Sequence, residues 1–285
     1  MTNFKISPNI TLGPVNLTVK NLDRSLVFYQ QVIGFHLHQQ NDNTASLGTK
    51  STPLLSLVAN SQAQRYPNTT GLYHFAILVP DRVALSMALH RIAKNKAQVQ
   101  GFADHGVSEA IYLADPDGNG IEIYRDRPRS EWPFEGDQLK MVTDPLDVEA
   151  LYSETDEATD NASLPNGTKI GHMHLYVRDI PEAEDFYHRV LGFNLIQRYG
   201  TSAAFLAAGD YHHHIGINTW AGLGASAPPQ GSIGLRYFGL QLNSQLELEQ
   251  FNEHLEQSRV HITQKNGSIF ISDPSQNQIE VSFKA

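Results

Sequence analysis

The sequence predicts an α+β fold built from four successive units, each made of one strand, one helix and three further strands. Two observations lead to this prediction. The two halves of the 285-residue chain repeat each other, and each half contains the same order of strand and helix patterns twice. A short acidic motif also closes the second and the fourth unit. We expect the units near residues 10–60, 70–127, 168–222 and 232–284.

The repeat consists of two pairs of matching segments, separated by 158 positions, the distance from Gly13 to Gly171. Residues 13–35 read GPVNLTVKNLDRSLVFYQQVIGF, and residues 171–193 read GHMHLYVRDIPEAEDFYHRVLGF. Near the ends of the halves, IYLADPDGNGIE at 111–122 matches IFISDPSQNQIE at 269–280. A constant offset of this length indicates that one structural unit, or a group of units, occurs in both halves.

The first unit begins with an alternating pattern at residues 17–19, which predicts a strand. Apolar residues at helical spacing follow at Leu22, Leu26, Tyr29 and Ile33. Gly34 is expected to end this helix, as glycine commonly does just beyond a helix C-terminus. Shorter strands complete the unit, including one over 54–58.

The second unit is predicted to begin with a strand over 73–79. Asp81 then stands at the N-cap position of a helix, whose apolar stripe is formed by Leu85, Ala88, Leu89 and Ile92. Strands that end at Tyr124 complete this unit.

The third and fourth units follow the same plan. Asp179 and Glu182 resemble a capping box at the start of the third unit's helix. Leu248, Phe251 and Leu255 form the apolar stripe of the last helix. We therefore divide the chain into residues 1–132, which hold the first two units, an acidic and polar linker over 133–167, and residues 168–285, which hold the other two.

Composition restricts the function further. The net charge of −9 disfavours a nucleic-acid partner, because phosphate binding needs clustered Lys and Arg. The chain has no cysteine, so any metal must be held by nitrogen and oxygen ligands. The N-terminus lacks a secretory pattern, and no apolar run approaches 18 residues, so we expect a cytoplasmic protein with no membrane partner. Histidine, at 13 residues, is the residue type that could carry metal chemistry.

Four such units in tandem resemble the vicinal oxygen chelate superfamily, which includes glyoxalases, bleomycin-resistance proteins and extradiol ring-cleavage dioxygenases. The motifs that carry the resemblance are FYQQVIGF and FYHRVLGF early in each half, and DPDGNGIE with its counterpart DPSQNQIE. The segments DHGVSEAIYLADPDGNGIE and GDYHHHIGINTW are most similar to catechol 2,3-dioxygenases of the Bacillus type. The resemblance covers most of the chain outside the linker. It implies that pairs of units form two curved, cup-like mixed β-sheets with flanking helices, and that a cup holds a divalent metal.

The resemblance also implies which positions could bind that metal. They lie on the first strands of the four units and on the final strands of the second and fourth, and they hold Pro14, His74, His172, Tyr237, Glu122 and Glu280. His74, Glu122 and His172 form a two-histidine, one-carboxylate set that suits Fe(II), with Mn(II) as an alternative. Pro14 and Tyr237 make the other set a poor metal site.

This distribution of ligands predicts that units 2 and 3 share the metal cup, while units 1 and 4 pair without a metal. The better-known extradiol enzymes differ, because their units 3 and 4 carry the site. The shared cup could form within one chain or between two chains of a homo-oligomer.

Three further residues match the dioxygenase pattern. His213 falls where the family places its acid/base histidine on the last strand of a metal-bearing unit, with His214 as the alternative. Because side chains alternate along a strand, we expect His212 and His214 to point away from His213. Tyr112 is expected to hydrogen-bond the substrate oxygen, and His105 to act as a second pocket histidine. His174 shares a strand face with His172 and is expected near the pocket.

The resemblance therefore predicts an Fe(II)-dependent extradiol dioxygenase that acts on catechol or a small substituted catechol with O2. Two alternatives stay open. A glyoxalase-type isomerase or thiol transferase of the same fold would carry a second carboxylate where His213 stands. A non-catalytic protein that binds an aromatic compound, as resistance proteins do, would lack the metal ligands.

Overall fold

The structure, a computed structural model, describes residues 4–156 and 163–284 and has the α+β fold that the sequence predicts. In the first half, the strands and helices are β1 (Thr11–Val19), α1 (Leu22–Phe28), β2 (His36–Gln40), β3 (Thr44–Gly48), β4 (Pro53–Ala59), β5 (Gly71–Leu78), α2 (Arg82–Lys94), β6 (Val99–Asp104), β7 (Ser108–Ala114) and β8 (Gly120–Asp126). They form two units of a strand, a helix and three strands.

The second half repeats this order after a connecting segment. The segment contains β9 (Phe134–Glu135), β10 (Gln138–Leu139) and α3 (Val148–Tyr152). The remaining elements are β11 (Lys169–Tyr176), α4 (Ile180–Asp185), β12 (Asn194–Tyr199), β13 (Ala203–Ala207), β14 (Ile215–Asn218), β15 (Gly234–Leu242), α5 (Gln245–Gln257), β16 (Thr263–Lys265), β17 (Ser268–Ser272) and β18 (Gln278–Phe283).

The helix boundaries follow the local signals in the sequence. The side chain of Asp81 accepts a hydrogen bond from the backbone N–H of Ala84 at 2.8 Å, and Asp179 caps α4 in the same way. Each of these caps satisfies a backbone donor that the first helical turn leaves free. Helix α1 continues into a π-helical turn, Tyr29–Ile33, and ends at Gly34, whose φ of 89° is left-handed. The side-chain-free glycine adopts this conformation with little strain.

The strands form two large sheets, and each sheet combines one unit from each half. One eight-stranded sheet has the order β12-β13-β14-β11-β5-β8-β7-β6, so units 3 and 2 lie side by side. The other has the order β16-β17-β18-β15-β1-β4-β3-β2, so units 4 and 1 lie side by side. The first strands of the paired units, β5 with β11 and β1 with β15, are antiparallel neighbours at the centre of each sheet. Within a unit, the first and last strands run parallel, as β5 and β8 do.

The two sheets share one continuous apolar core. Leu17, Phe75, Leu175 and Phe238 belong to a single buried cluster and come from the four different units. Matching polar contacts occur in the two halves, because Tyr29 donates to Asp115 at 2.9 Å and Tyr187 donates to Asp273 at 3.0 Å. Each contact joins a helix of one sheet's unit to a turn of the other sheet's unit, so the sheets are tied together at two equivalent places.

The connecting segment over 133–167 packs against unit 2 in the part that the structure describes. Leu139 and Leu151 are buried, and Asp144 forms a backbone bridge to Asp104 at the end of β6. Residues 157–162, which hold part of the acidic stretch noted above, lie outside the described residues. Within the described ranges, no helix is both long enough and apolar enough to cross a membrane.

Candidate metal centre

His74, Glu122 and His172 lie together on the concave face of the sheet formed by units 2 and 3. The Nε2 atoms of His74 and His172 are each 3.0 Å from Oε2 of Glu122 and 3.3 Å from each other. All three side chains are buried. An octahedral face with metal–ligand bonds of about 2.1 Å has edges of about 3 Å, so the triangle has the size that a divalent metal requires.

The strand register produces this triangle. His74 faces His174 across the β5–β11 pair, and Ala76 faces His172. Across the parallel β5–β8 pair, Ala76 lies beside Glu122. Residues two apart on a strand share a face, so both histidines and the glutamate surround the methyl group of Ala76. The small side chain leaves room for the three larger ones, while Phe75 and Ile77 point into the apolar core.

The electrostatics of the cluster favour a cation. Burial alone would raise the pKa of Glu122, but His172 and His74 outweigh it and hold that pKa well below its usual range. Burial lowers the pKa of His74, against the opposing effect of Glu122. An ionised carboxylate is costly to bury without a positive partner. Two imidazoles and one carboxylate that converge on a point can supply lone pairs to a metal ion, and the set suits the two-histidine, one-carboxylate sites of non-haem iron.

The triangle opens into a cavity of about 520 Å³. This volume lies in the range of small-molecule sites. Aromatic side chains form much of its wall, and they include Tyr73, Tyr112, Phe205 and Trp220. Among the described residues that line the cavity, Glu122 is the one carboxylate.

Tyr112 and His105 form a hydrogen-bonded pair in this cavity. Tyr112 pairs with Glu122 across β7 and β8, and its hydroxyl lies 2.6 Å from Nε2 of His105. The other ring nitrogen of His105 lies 2.7 Å from the carbonyl oxygen of Val142 and must donate to it. With Nδ1 as the donor to Val142, Nε2 of His105 accepts the hydrogen bond from the Tyr112 hydroxyl, which leaves the phenol oxygen able to accept a hydrogen bond from a ligand. Burial, with the charge of Glu122, raises the pKa of Tyr112 well above its usual value.

His213 also lines the cavity, but its backbone differs from the prediction. It lies in an irregular turn before β14, which begins at Ile215, rather than on the strand itself. The strict alternation expected for His212 and His214 therefore does not hold, and Nδ1 of His212 lies 2.8 Å from Nδ1 of His213. The His213 ring contacts the His172 ring at a centroid distance of 4.1 Å. Burial and the neighbouring histidines hold the pKa of His213 well below its usual value.

His174 completes the histidine cluster, with its ring centroid 4.9 Å from that of His74. It lines the cavity, and its buried Nε2 has no hydrogen-bond partner among the described residues. His214 lies outside the cavity lining, and its Nδ1 accepts a hydrogen bond from the backbone N–H of Ala208 at 3.1 Å.

The equivalent positions in the other sheet have different chemistry. The hydroxyl of Tyr237 accepts a hydrogen bond from the side-chain amide of Asn16 at 3.2 Å, and the Tyr237 ring packs against Phe270. Pro14 lacks a donor atom in its side chain. Across 4–156 and 163–284, His74, Glu122 and His172 form the single group of three His, Asp or Glu side chains with ligand atoms within 4.8 Å of one another.

Several cavity residues were not predicted from the sequence, and two of them, Met141 and Trp220, come from segments outside the strands and helices. Met141 lies in the segment between the halves. Its backbone N–H donates to the side-chain oxygen of Gln197 at 2.8 Å, and the side-chain amide of Gln197 donates to the backbone oxygen of Met141 at 3.1 Å. Both residues line the cavity, and so does Trp220 beyond β14. A strand or helix pattern carries no signal for such contacts.

Comparison with known proteins supports the same fold and chemistry. Residues 11–123 and 169–281 match the family described as the Glyoxalase/Bleomycin resistance protein/Dioxygenase superfamily. The catechol-2,3-dioxygenase of Bacillus subtilis is 45% identical over 269 residues, which are 92% of this chain and 93% of that protein. A lactoylglutathione lyase of Neisseria meningitidis is 32% identical over 117 residues, 38% of this chain and 84% of that protein. The crystal structure of glyoxalase I from Zea mays superposes with a TM-score of 0.57 at 16% identity, over 96% of this chain and 92% of that one.

Proposed function

Because the chain belongs to the Glyoxalase/Bleomycin resistance protein/Dioxygenase superfamily, we propose that it is an extradiol dioxygenase that cleaves catechol or a small substituted catechol with O2. The observation that carries the proposal is the common cavity into which the buried triangle of His74, Glu122 and His172 opens together with His213 and Tyr112. The 45% identity to a catechol-2,3-dioxygenase over nearly the whole chain supports it.

The ligand set supports Fe(II) as the native metal, with Mn(II) as the alternative. His74, His172 and Glu122 would hold such an ion from one side and would leave other positions for further ligands. Iron in such a site supplies the redox chemistry that allows O2 to react with an electron-rich ring. Thiolate ligands are excluded because the chain has no cysteine.

The residues of the chain carry the binding and proton transfer. In this proposal, a catechol ring lies between the aromatic walls of the cavity with its two hydroxyl groups toward the metal triangle. Burial keeps the pKa of His213 well below the usual value, so the ring is neutral and its lone pair is available to accept the proton of one hydroxyl group. The Tyr112 hydroxyl donates its proton to His105 and accepts a hydrogen bond from the substrate hydroxyl, which fixes the orientation of the ring.

The cavity lining argues against a glyoxalase-type isomerase. The resemblance implies that glyoxalase-type enzymes complete their metal site with a second carboxylate at the position of His213. Glu122 is the one carboxylate that lines the cavity among the described residues, and a histidine stands at the second position. The lactoylglutathione lyase relatives match only about 40% of the chain or less, whereas the dioxygenase relative matches 92%.

Anaerobic reconstitution tests the proposal. The apo-protein is loaded with Fe(II), and O2 uptake is then measured with catechol while the absorbance of a yellow ring-fission product is followed. We expect equal molar amounts of O2 and catechol to be consumed. Turnover of a hemithioacetal with Ni(II) or Zn(II) and no O2 uptake would instead assign the protein to the isomerases, and stoichiometric aromatic binding without turnover would make it a binding protein.

A further inference from the structure

We propose that Asp126 positions His213 through His212, so that the lone pair of the His213 Nε2 atom faces the cavity. The inference rests on the proposed function, because it assigns the proton acceptor for the substrate hydroxyl. Asp126 and His212 do not touch the cavity and act only through His213, so they are positioning residues.

A continuous chain of hydrogen bonds connects the three side chains. Oδ1 of Asp126 lies 2.9 Å from Nε2 of His212, and Nδ1 of His212 lies 2.8 Å from Nδ1 of His213. His213 lines the cavity, and its ring contacts that of His172. The chain therefore runs from the end of β8 to the immediate neighbourhood of the metal triangle.

The carboxylate determines where each proton resides. A carboxylate can only accept, so Nε2 of His212 must carry its proton. Nδ1 of a neutral His212 is then an acceptor, and Nδ1 of His213 must donate to it. The remaining nitrogen of His213, Nε2, is consequently unprotonated. Without an acceptor at position 126, both imidazoles could adopt the opposite tautomer, in which Nε2 of His213 is a donor and cannot take a proton.

The surroundings hold this chain in one conformation. The hydroxyl of Tyr211 donates to both carboxylate oxygens of Asp126, at 3.2 and 3.0 Å, and Tyr124 lies 2.8 Å from that hydroxyl. The Trp132 ring covers His212 at a centroid distance of 5.4 Å. The side chain of His212 is 0% exposed, whereas that of Asp126 is 27% exposed. The carboxylate of Asp126 is therefore partly exposed to solvent, whereas the imidazole that donates to it is buried.

In the proposed step, His213 takes a proton from a substrate hydroxyl group. The O–H bond of a substrate hydroxyl breaks, an N–H bond forms at Nε2 of His213, and the electron pair stays on the oxygen. The resulting imidazolium donates from Nδ1 to His212, which donates to Asp126, so the carboxylate stabilises the positive charge at one remove. Nε2 can then return the proton to a product oxygen. A carboxylate that orients one histidine acts in the same way in serine hydrolases.

Substitution of Asp126 by asparagine gives the sharpest test, because an amide can donate where the carboxylate only accepts. In Asp126→Asn the amide N–H can bond to Nε2 of His212 and reverse both tautomers. We expect kcat to fall by roughly 100-fold or more, with KM and bound iron little changed. Asp126→Glu restores an acceptor and should recover part of kcat. Exposed Asp137 provides the control for loss of one negative charge, and Asp137→Asn should keep the wild-type kcat.

A second readout is independent of turnover. ¹⁵N spectra of histidine-labelled protein, loaded with diamagnetic Zn(II), report the protonated nitrogen of each ring, and His212 and His213 variants assign the signals. We expect an Nδ1–H tautomer for His213 in the wild type and in Tyr211→Phe, which keeps the carboxylate. We expect the Nε2–H tautomer in Asp126→Asn. A wild-type His213 with Nε2–H, or wild-type tautomers and kcat in Asp126→Asn, would overturn the inference. Full turnover in His213→Ala would instead reject the acid/base role in the proposed function.

Discussion

His172 and His213 contact each other ring to ring, yet their proposed roles differ. His172 is a proposed metal ligand, with Nε2 3.0 Å from Glu122. His213 is a proposed proton acceptor. Because acid/base groups contribute about 10²–10⁴-fold to rate, His213→Ala should lose turnover by that factor and retain one iron per chain. His172→Ala removes one of three ligands and should lose both iron and turnover. Iron analysis after gel filtration, with steady-state kinetics, makes the comparison. Equal iron loss in the two variants would make His213 a ligand.

His214 makes a separate prediction about stability. Burial, followed by His212, Lys169 and His172, lowers the pKa of His214 from 6.5 to about 3. Its Nδ1 must stay unprotonated to accept from the Ala208 N–H. Between pH 6.5 and 3, His214 is therefore protonated in the unfolded chain but not in the folded protein. The stability that this group contributes is fully present above pH 6.5 and is lost as the pH falls.

The expected slope follows from proton linkage. When the unfolded chain binds one more proton than the folded protein, the free energy of unfolding changes by about 1.4 kcal/mol per pH unit. His214→Asn keeps an acceptor near the Ala208 N–H and should remove up to that slope between pH 6 and 4, measured by urea unfolding. The same substitution at exposed His261 is the control. A wild-type slope in His214→Asn would show that His214 is protonated in the folded protein.

At the residue scale, the sequence could supply candidates where the family resemblance and the repeat define a position. The resemblance implied the candidate positions, and comparison of the units favoured His74, Glu122 and His172, because the other set holds Tyr237, Glu280 and Pro14. Their roles as ligands stay a prediction, although the structure brings the three side chains together. The Asp126–His212 pair was not predictable, because it depends on a turn before β14 that has no strand periodicity.

At the scale of elements, the metal triangle depends on the close approach of β5 and β8. A Cβ placed on Gly120 would lie 2.0 Å from the backbone oxygen of Tyr73 and 3.1 Å from Cβ of His74. Glycine therefore allows β5 and β8 to approach closely enough that Nε2 of His74 lies 3.0 Å from Oε2 of Glu122. The motif DPDGNGIE contains this glycine, whereas its counterpart DPSQNQIE has glutamine at the same place.

Substitution of this glycine should separate the two strands. Gly120→Ala should lower the free energy of unfolding by about 1–3 kcal/mol, a typical cost of overpacking, and should weaken iron binding. Gly101 on β6 has no atom within 4 Å of a built Cβ, so Gly101→Ala should change stability by less than about 0.5 kcal/mol. Thermal unfolding and iron titration measure both effects. Wild-type iron affinity in Gly120→Ala would show that the β5–β8 spacing does not control the site.

The elements themselves were largely predictable. Asp81 and Asp179 begin helices, and Gly34 ends one, because these signals are local to the chain. The turn at 210–214 departed from the expected strand, since side-chain hydrogen bonds to Asp126 from Tyr211 and His212 replace regular strand geometry there. Such contacts between distant residues do not produce a periodic pattern in the sequence.

At the scale of the whole molecule, each sheet needs both halves of the chain. β5 lies beside β11 and β1 lies beside β15, so neither half contains a complete sheet. The α+β class was predictable from repeated local patterns. The expectation that units 2 and 3 share a cup came instead from the distribution of ligands, because strand periodicity does not specify which strands become neighbours.

This architecture predicts that the halves cannot bind metal separately. In a 1–132 fragment whose units 1 and 2 pair with each other, Pro14 would occupy the position of His172. In a 133–285 fragment whose units 3 and 4 pair, Tyr237 and Glu280 would occupy the positions of His74 and Glu122. We expect neither fragment to retain iron after gel filtration, and a co-expressed mixture to retain one iron per pair. Iron bound stoichiometrically by either fragment alone would contradict the shared site.

The central claim is that His74, Glu122 and His172 hold one metal ion. Anomalous diffraction at the iron absorption edge, from crystals grown anaerobically with Fe(II), tests it directly. We expect one strong peak per chain, about 2.1 Å from Nε2 of His74, Nε2 of His172 and a carboxylate oxygen of Glu122. Iron bound at another position, or no peak between these three side chains in iron-loaded crystals, would contradict it.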